Sequence, residues 1–302
     1  MATPNRRLFL SAAGAASLAA VLAACADTGA DGQAVSSSSS ASAGAGAVDY
    51  ETVVNSGPVA ADGWGGRVRR YRAELDAAQK PGDGVPAYTR WVNRRGARLV
   101  AALAAASGLT PNAVSALSFL LSALGMVVLL ACRPTAWVGL PVAVLLALGY
   151  LFDSADGQVS RVTHAASRTG EWIDHVADAF RSPAIHLSLA VTTVLHTGRP
   201  WFALVAVVHA WVTSGQFLSQ ILAEQFVRAA GRKQTRGGTL RSVILLPTDP
   251  GTLCWSFLLY GLGAPFRVVY TLLAVIALAH SMLSLTRRYR DLRALDAAAR
   301  EG

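Results

Sequence analysis

The sequence has few charged residues and few cysteines. Only 15% of its 302 residues are Asp, Glu, Lys or Arg, whereas soluble domains average about 25%, which argues against a soluble globular enzyme. The three cysteines, Cys25, Cys132 and Cys254, lie far apart and form no CxxC pair, so neither a disulfide framework nor a zinc site is indicated. Hydrophobic residues make up 53% of the chain and the mean hydropathy is +0.39, which excludes disorder for most of it.

Long apolar runs dominate the chain after residue 110. Each is close to the ~20 residues that a helix needs to cross about 30 Å of hydrocarbon. Because a backbone in lipid must satisfy its own hydrogen bonds, runs of this length predict helices. The sequence therefore predicts an all-α membrane protein with a six-transmembrane-helix bundle. The predicted spans are residues 113–130, 136–152, 172–195, 201–223, 243–262 and 266–285.

The basic residues predict how this bundle is oriented. The chain has 27 Lys and Arg against 18 Asp and Glu, a net charge of +9. In a soluble protein this excess would suggest nucleic acid, but in a membrane protein it is expected of the cytoplasmic loops. Fifteen basic residues lie in the loops and flanks of one side and three in the alternate loops. We therefore expect an integral plasma membrane protein of bacterial type, with both flanks in the cytoplasm and no nucleic acid partner.

Residues 1–47 carry a signal-like pattern that conflicts with this orientation. Arg6 and Arg7, the apolar run after them and Cys25 resemble a twin-arginine export signal with a lipoprotein cleavage site. A Ser/Ala/Gly linker follows. If Cys25 were lipidated outside the cell, every loop of the bundle would be inverted. Either the topology is unusual or translation starts downstream, and we favour the downstream start.

The rest of the chain divides by composition into four segments. Residues 48–87 are expected to be a polar cytoplasmic region. Residues 88–109 combine an arginine-rich start with an apolar remainder, which predicts an N-terminal amphipathic helix lying on the membrane surface. Residues 110–286 form the predicted six-span membrane domain, and residues 287–302 form a basic cytoplasmic tail.

Four aspartates lie at helical spacing where the second span ends and the third begins. Asp153 and Asp156 share one helical face, as do Asp174 and Asp178. One straight helix would separate the outermost two by about 38 Å, but the polar stretch 163–169 permits a reversal that brings the faces together. At ~5 Å and an effective dielectric of ~20, each carboxylate pair would repel by about 3 kcal/mol. We therefore expect protonation or a hard divalent cation such as Mg²⁺, Mn²⁺ or Ca²⁺.

These residues form a longer pattern with a known counterpart. Residues 153–178 resemble the signature of the CDP-alcohol phosphatidyltransferases, DxxDGxxAR followed after eight residues by GxxxDxxxD. The chain departs from it at Ser160, where the family usually has alanine, and serine is small enough to fit. Residues 110–112, TPN, are also similar to the family's opening of the first span. The resemblance covers about residues 88–290 and leaves residues 1–80 outside.

The resemblance implies a six-helix enzyme that is usually a homodimer. Such an enzyme transfers a phosphoalcohol group from a CDP-linked lipid donor to the hydroxyl of a small alcohol and releases CMP. The implied cofactor is Mg²⁺ or Mn²⁺, with two ions per site, and the expected donor is CDP-diacylglycerol. The sequence does not identify the acceptor alcohol, and glycerol phosphate, inositol phosphate and another lipid-like acceptor all stay open. The reverse assignment, in which CDP carries the head group and diacylglycerol is the acceptor, also stays open.

Individual roles follow from positions in the signature. The implied metal ligands are Asp153, Asp156, Asp174 and Asp178. The implied substrate-binding residues are Gly157, Ser160, Arg161 and Gly170. Asp178 is in addition the implied general base. Arg181, one turn after Asp178, has three interpretations: it binds an anionic group of the acceptor, it snorkels toward the membrane surface, or it pairs with Asp178.

Two other functions compete with this interpretation. A carboxylate-lined ion or proton transporter would need acidic residues staggered across the bilayer, whereas these four cluster at one face. The two repeated halves with broken helices that many transporters show are not recognisable in the sequence either. A catalytically silent member of the family is the third possibility, if Ser160 or the N-terminal extension disables the site.

Overall fold

The computed structural model describes residues 63–78, 82, 84–231 and 238–301. Within these residues every regular element is a helix, as the composition predicts. The signal-like segment, Cys25 and the Ser/Ala/Gly linker lie outside the described residues. The nine described α-helices are α1 (Trp64–Ala77), α2 (Arg94–Ala106), α3 (Pro111–Ala131), α4 (Ala136–Val162), α5 (Arg168–Thr197), α6 (Pro200–Ala229), α7 (Thr239–Ile244), α8 (Pro250–Ser256) and α9 (Ala264–Glu301).

Four of these helices, α3, α4, α6 and α9, are long and apolar enough to cross a membrane. They contain the predicted first, second, fourth and sixth spans. The predicted third span lies inside α5, whose first half carries Glu171, Asp174, Asp178 and Arg181. These charges make that helix less apolar than its neighbours. The membrane character of the chain is thus supported by four helices, and the count of six spans stays a prediction.

The predicted fifth span, residues 243–262, is not one continuous helix. It consists of the end of α7, a 3₁₀ turn (Leu246–Thr248), α8 and a second 3₁₀ turn (Phe257–Leu262). Pro247 and Pro250 lack the N–H group that a continuing helix needs. Between them Asp249 caps α8, since its Oδ1 accepts a hydrogen bond from the Gly251 N–H at 2.9 Å.

Asp249 also ties this broken segment to the start of the bundle. The backbone N–H of Thr89 donates to Asp249 Oδ2 at 2.8 Å, and the Thr89 hydroxyl donates to both carboxylate oxygens at 2.9 and 3.0 Å. The same hydroxyl lies 2.6 Å from the Tyr150 hydroxyl of α4. One buried carboxylate therefore joins three parts of the chain that are distant in sequence.

The segment predicted as an amphipathic surface helix, residues 88–109, contains two elements. A π-helical turn (Thr89–Asn93) leads directly into α2. Helix α2 packs between α1 and α4 and buries the alanines Ala97, Ala101, Ala102, Ala104, Ala105 and Ala106. Leu75 of α1, in the segment expected to be polar, is fully buried against this alanine face. Small side chains thus let α1, α2 and α4 approach closely.

Helices α3 and α4 form the closest pair of the bundle. A Cβ added to Gly149 would collide with the Ser122 hydroxyl and with the backbone of α3. The Ser118 hydroxyl donates to the Gly149 carbonyl at 2.8 Å. Such contacts between small residues are typical of membrane helices. These contacts fix α4 against α3 at Gly149 and thereby position the residues of α4 that follow Gly149.

Candidate active site

A short turn between α4 and α5 brings the two aspartate pairs together. Helix α4 ends at Val162 and α5 begins at Arg168, so the chain reverses within five residues. The turn places His164 at φ 52°, in the left-handed region. Ser167 caps α5, because its hydroxyl accepts a hydrogen bond from the Gly170 N–H at 3.0 Å. The reversal predicted between the two halves of the signature is therefore present.

Three of the four aspartates form a cluster. One oxygen each of Asp153, Asp156 and Asp174 lies within 4.8 Å of the other two. Asp156 is buried, and the other two are half-buried. Three carboxylates at this distance repel unless a positive charge lies between them. An all-oxygen donor set suits Mg²⁺, Mn²⁺ or Ca²⁺ better than a softer ion, so these residues fit the implied metal.

Asp156 has a fixed orientation within this cluster. The Ser115 hydroxyl of α3 donates to its Oδ2 at 2.5 Å, and the Gly157 N–H donates to its Oδ1 at 2.5 Å. A carboxylate oxygen has two lone pairs, so each of these oxygens keeps capacity for a cation. Ser115 thereby links α3 to the cluster. This serine is not part of the signature.

Asp178 lies beside the cluster and pairs with Arg181. The buried Arg181 guanidinium contacts Asp178 Oδ1 and, through the same Nη2, donates to Asp153 Oδ1 at 2.5 Å. Its Nη1 donates to the Ser118 hydroxyl at 2.6 Å. Of the three sequence-based interpretations of Arg181, the structure shows the pairing with Asp178. The additional bond to Asp153 joins residues 28 positions apart and was not predicted.

The two signature glycines differ in their surroundings. A Cβ added to Gly157 would meet no atom within 4 Å, so this side of α4 is open next to the aspartates. A Cβ added to Gly170 would lie 3.1 Å from the Ser167 hydroxyl and 3.7 Å from Asn112 Oδ1. The predicted TPN opening of α3 therefore lies close to the start of α5. The glycine that leaves open space beside the carboxylates is Gly157.

The remaining implied substrate-binding residues lie in the last turn of α4. Ser160 and Arg161 are both half-buried. The Nε of Arg161 is buried and has no hydrogen-bond partner within the described part of the chain. A guanidinium with an unused donor, five residues after Asp156 on the same helix, suits an anionic ligand.

A cavity of about 800 Å³ opens beside the site. Asp153 and Asp178 both line it, together with side chains of α5, α6, α8 and α9. Arg241 and Arg288 contribute positive charge to its wall. This cavity is not predictable from residue spacing, because its wall is assembled from the seven helices α3 to α9.

Comparison with known proteins agrees with this geometry. The model of the CDP-alcohol phosphatidyltransferase family matches residues 108–283, which include all four aspartates. A protein of Thermococcus kodakarensis named as a bifunctional IPC transferase and DIPP synthase is 25% identical over 210 residues. These residues are 69% of this chain and 46% of that relative, so the chain spans less than half the relative's length.

Proposed function

The chain belongs to the CDP-alcohol phosphatidyltransferase family, and we propose on this basis that it transfers a phosphatidyl group from CDP-diacylglycerol to an alcohol and releases CMP. The observation that carries the proposal is the carboxylate cluster of Asp153, Asp156 and Asp174 beside a cavity that Asp178 lines. The cluster supplies a site for divalent cations, and the cavity gives an acceptor access to a carboxylate. The similarity to a bifunctional IPC transferase and DIPP synthase supports the same class of reaction.

The cluster is the proposed holder of Mg²⁺ or Mn²⁺. Asp153, Asp156 and Asp174 would bind one ion, and Asp178 would contribute to a second, as the family signature implies. When bound, the cations would neutralise the charge of the donor's diphosphate and of the departing CMP. All-oxygen ligands within 4.8 Å of one another support this assignment.

Asp178 is the proposed general base. Its carboxylate would accept the proton of an acceptor hydroxyl bound in the cavity. The alcohol oxygen would then form a bond to the phosphorus atom that carries the diacylglycerol. The bond from that phosphorus to the oxygen of CMP would break, and CMP would leave with the electron pair. The proton ends on Asp178 and returns to solvent before the next cycle.

The other signature residues are proposed to hold the donor. The open side of Gly157 would let the nucleotide approach the carboxylates. Arg161 would bind the donor's phosphates, which suits its buried Nε without a partner in the described residues. Ser160 and Gly170 would line the same binding surface. The donor would thus lie against the open face of α4, and the acceptor would lie in the cavity.

We further propose that the site faces the cytoplasm in a six-span bundle. The predicted distribution of basic residues supports this orientation. Helix α5 and the broken segment from α7 to Leu262 would complete the six spans, and α2 with its preceding turn would lie at the membrane surface. Both aspartate pairs lie in the halves of α4 and α5 that adjoin the turn between them, which favours one site toward one membrane face over a transport path. The family also supports a homodimer.

The proposal is tested by incubating the purified protein and Mg²⁺ with labelled CDP-diacylglycerol and a panel of alcohols. We expect CMP release together with a new lipid product. Asp178→Asn should abolish both, while Asp296→Asn on the exposed end of α9 should leave them unchanged. Unchanged CMP release by Asp178→Asn would refute the base assignment. A parallel assay with CDP-linked head groups and diacylglycerol tests the reverse assignment, and no CMP from either donor class would contradict the function.

A further inference from the structure

The cavity beside Asp178 continues along α5 to a pair of buried histidines. Asp178, Ser182 and His186 follow one another at four-residue steps on α5, and all three line the cavity. At ~1.5 Å per residue, His186 lies about 12 Å beyond Asp178 along the helix. His209 of α6 completes this inner end, with its ring stacked on His186 at a centroid distance of 3.9 Å.

The α6 wall of the cavity carries uncharged polar groups. His209, Thr213, Gln216 and Gln220 lie on one helical face and all line the cavity. Helix α6 is otherwise apolar enough to cross a membrane. Two members of this row already have partners: Gln216 bonds to Ser281 and Ser284 of α9, and the Thr213 hydroxyl donates to the His209 carbonyl at 2.8 Å. His209 is the member of the row with a buried nitrogen that lacks a partner in the described residues. An alcohol hydroxyl can bond that nitrogen, whereas an acyl chain would leave it without a hydrogen bond.

Both rings pack against Tyr270, but the hydrogen bonds of the two histidines differ. His186 Nδ1 lies 2.6 Å from the Tyr270 hydroxyl, and its Nε2 lies 3.4 Å from the Thr213 hydroxyl. His209 is only 6% exposed, and its Nδ1 has no hydrogen-bond partner in the described part of the chain. A buried polar atom of this kind is destabilising unless a ligand or water satisfies it. The inner end of the cavity therefore offers a ready hydrogen-bonding group.

Resting on the proposed function, we propose that the acceptor is a polyhydroxylated alcohol with more than three carbons. One hydroxyl lies at Asp178 and reacts there, while others bind the polar α6 wall and extend toward His209. A three-carbon alcohol at Asp178 is too short to reach the stacked histidines, because His186 lies about 12 Å further along α5. The acceptor hydroxyl loses its proton to Asp178, gains the bond to phosphorus and displaces CMP.

A series of neutral polyols tests how far the acceptor site extends. Glycerol, erythritol, xylitol and sorbitol differ in length but share a primary hydroxyl, and the cyclic myo-inositol offers secondary hydroxyls at the same carbon number as sorbitol. With CDP-diacylglycerol and Mg²⁺ held saturating, we expect KM to fall from glycerol toward the six-carbon members by about tenfold, the effect of one or two added hydrogen bonds. The same KM for every member of the series would overturn the proposal.

A pair of histidine variants identifies the inner end of the site. His209→Phe keeps a ring that stacks on His186 but removes Nδ1, and we expect it to raise KM for sorbitol about tenfold with little change in kcat or in KM for glycerol. His196→Phe is the matched control. His196 also has a buried nitrogen without a partner in the described residues, but it does not line the cavity. An unchanged sorbitol KM in His209→Phe would overturn the proposal.

Binding without turnover separates this inference from the proposed function. Saturation-transfer NMR on the full chain in lipid nanodiscs, with sorbitol and no CDP-linked donor, reports contact directly. We expect a sorbitol signal with the unchanged protein and with His196→Phe, and its loss with His209→Phe. If this pattern holds while no alcohol yields CMP, the polyol site stands and the proposed reaction fails. If CMP is released from glycerol while no polyol signal depends on His209, the reaction stands and the polyol site fails.

Discussion

Replacing Arg181 with glutamine should destabilise the protein in a way that depends on Mg²⁺. Its guanidinium is buried and bonds two carboxylates, Asp153 and Asp178. Removing one partner of a buried ion pair costs about 3–5 kcal/mol, because the remaining charge stays buried. The two carboxylates here are 18% and 23% exposed. Since water screens them in part, we expect the lower end of the range, about 3 kcal/mol.

Mg²⁺ should reduce this loss. In chelator the variant contains the carboxylates without their arginine, and a cation bound at the cluster would replace part of the missing positive charge. A ligand at 100 times its Kd stabilises a folded state by about 2.7 kcal/mol. Without Arg181 the cluster is more negative and should bind the ion more tightly than it does in the unchanged protein. We therefore expect saturating Mg²⁺ to restore at least half of the lost stability.

The assay is reversible unfolding in mixed detergent micelles, in which SDS is the denaturant. Each variant is titrated with SDS once in the presence of EDTA and once in the presence of Mg²⁺. Arg133→Gln is the matched control, since Arg133 is exposed in the loop between α3 and α4. The double variant Arg181→Gln with Asp178→Asn removes both charges and should be less destabilised than the two single effects added together, by about 1 kcal/mol or more. If Arg181→Gln unfolds like Arg133→Gln in EDTA, the pairing carries no stability and this reasoning is wrong.

Three further predictions test other parts of the structure. Gly149→Ala should destabilise the protein by about 1–3 kcal/mol, because the added methyl group overpacks the α3–α4 contact. Gly157 has open space around it, so Gly157→Ala should fold normally and raise KM for the CDP-linked donor. Equal unfolding curves for the two variants would contradict this prediction. Asp249→Ala removes the α8 cap and the bonds to Thr89 and should lower the free energy of unfolding by at least about 2 kcal/mol. EDTA should abolish CMP release. Asp156→Asn should raise the Mg²⁺ concentration needed for half-maximal activity about tenfold or more. An unchanged Mg²⁺ concentration for half-maximal activity would exclude Asp156 as a ligand.

The parts of the fold that follow from local physics could be predicted from the sequence. Apolar length alone identifies α3, α4, α6 and α9, since each is long and apolar enough by itself to cross a membrane. The predicted helix over 243–262 was wrong because a hydropathy average does not register single prolines. Pro247 and Pro250 interrupt the hydrogen-bond ladder however apolar their neighbours are. Packing of α1 on the alanine face of α2 was also missed, because charged residues, among them Arg72, Glu74 and Asp76, surround the buried Leu75 in sequence.

The site shows the same division between local and distant contacts. Aspartates three or four residues apart must share a helical face, and a polar turn between them permits the reversal, so the meeting of Asp153, Asp156 and Asp174 follows from spacing. The bond from Arg181 to Asp153 does not, because it depends on how α5 lies against α4. The stacked His186 and His209 likewise belong to different helices, and nothing in either helix alone distinguishes them from ordinary buried histidines. The sequence therefore predicts the chemistry of the carboxylates, while the reach of the acceptor site emerges only when α5, α6 and α9 are packed together.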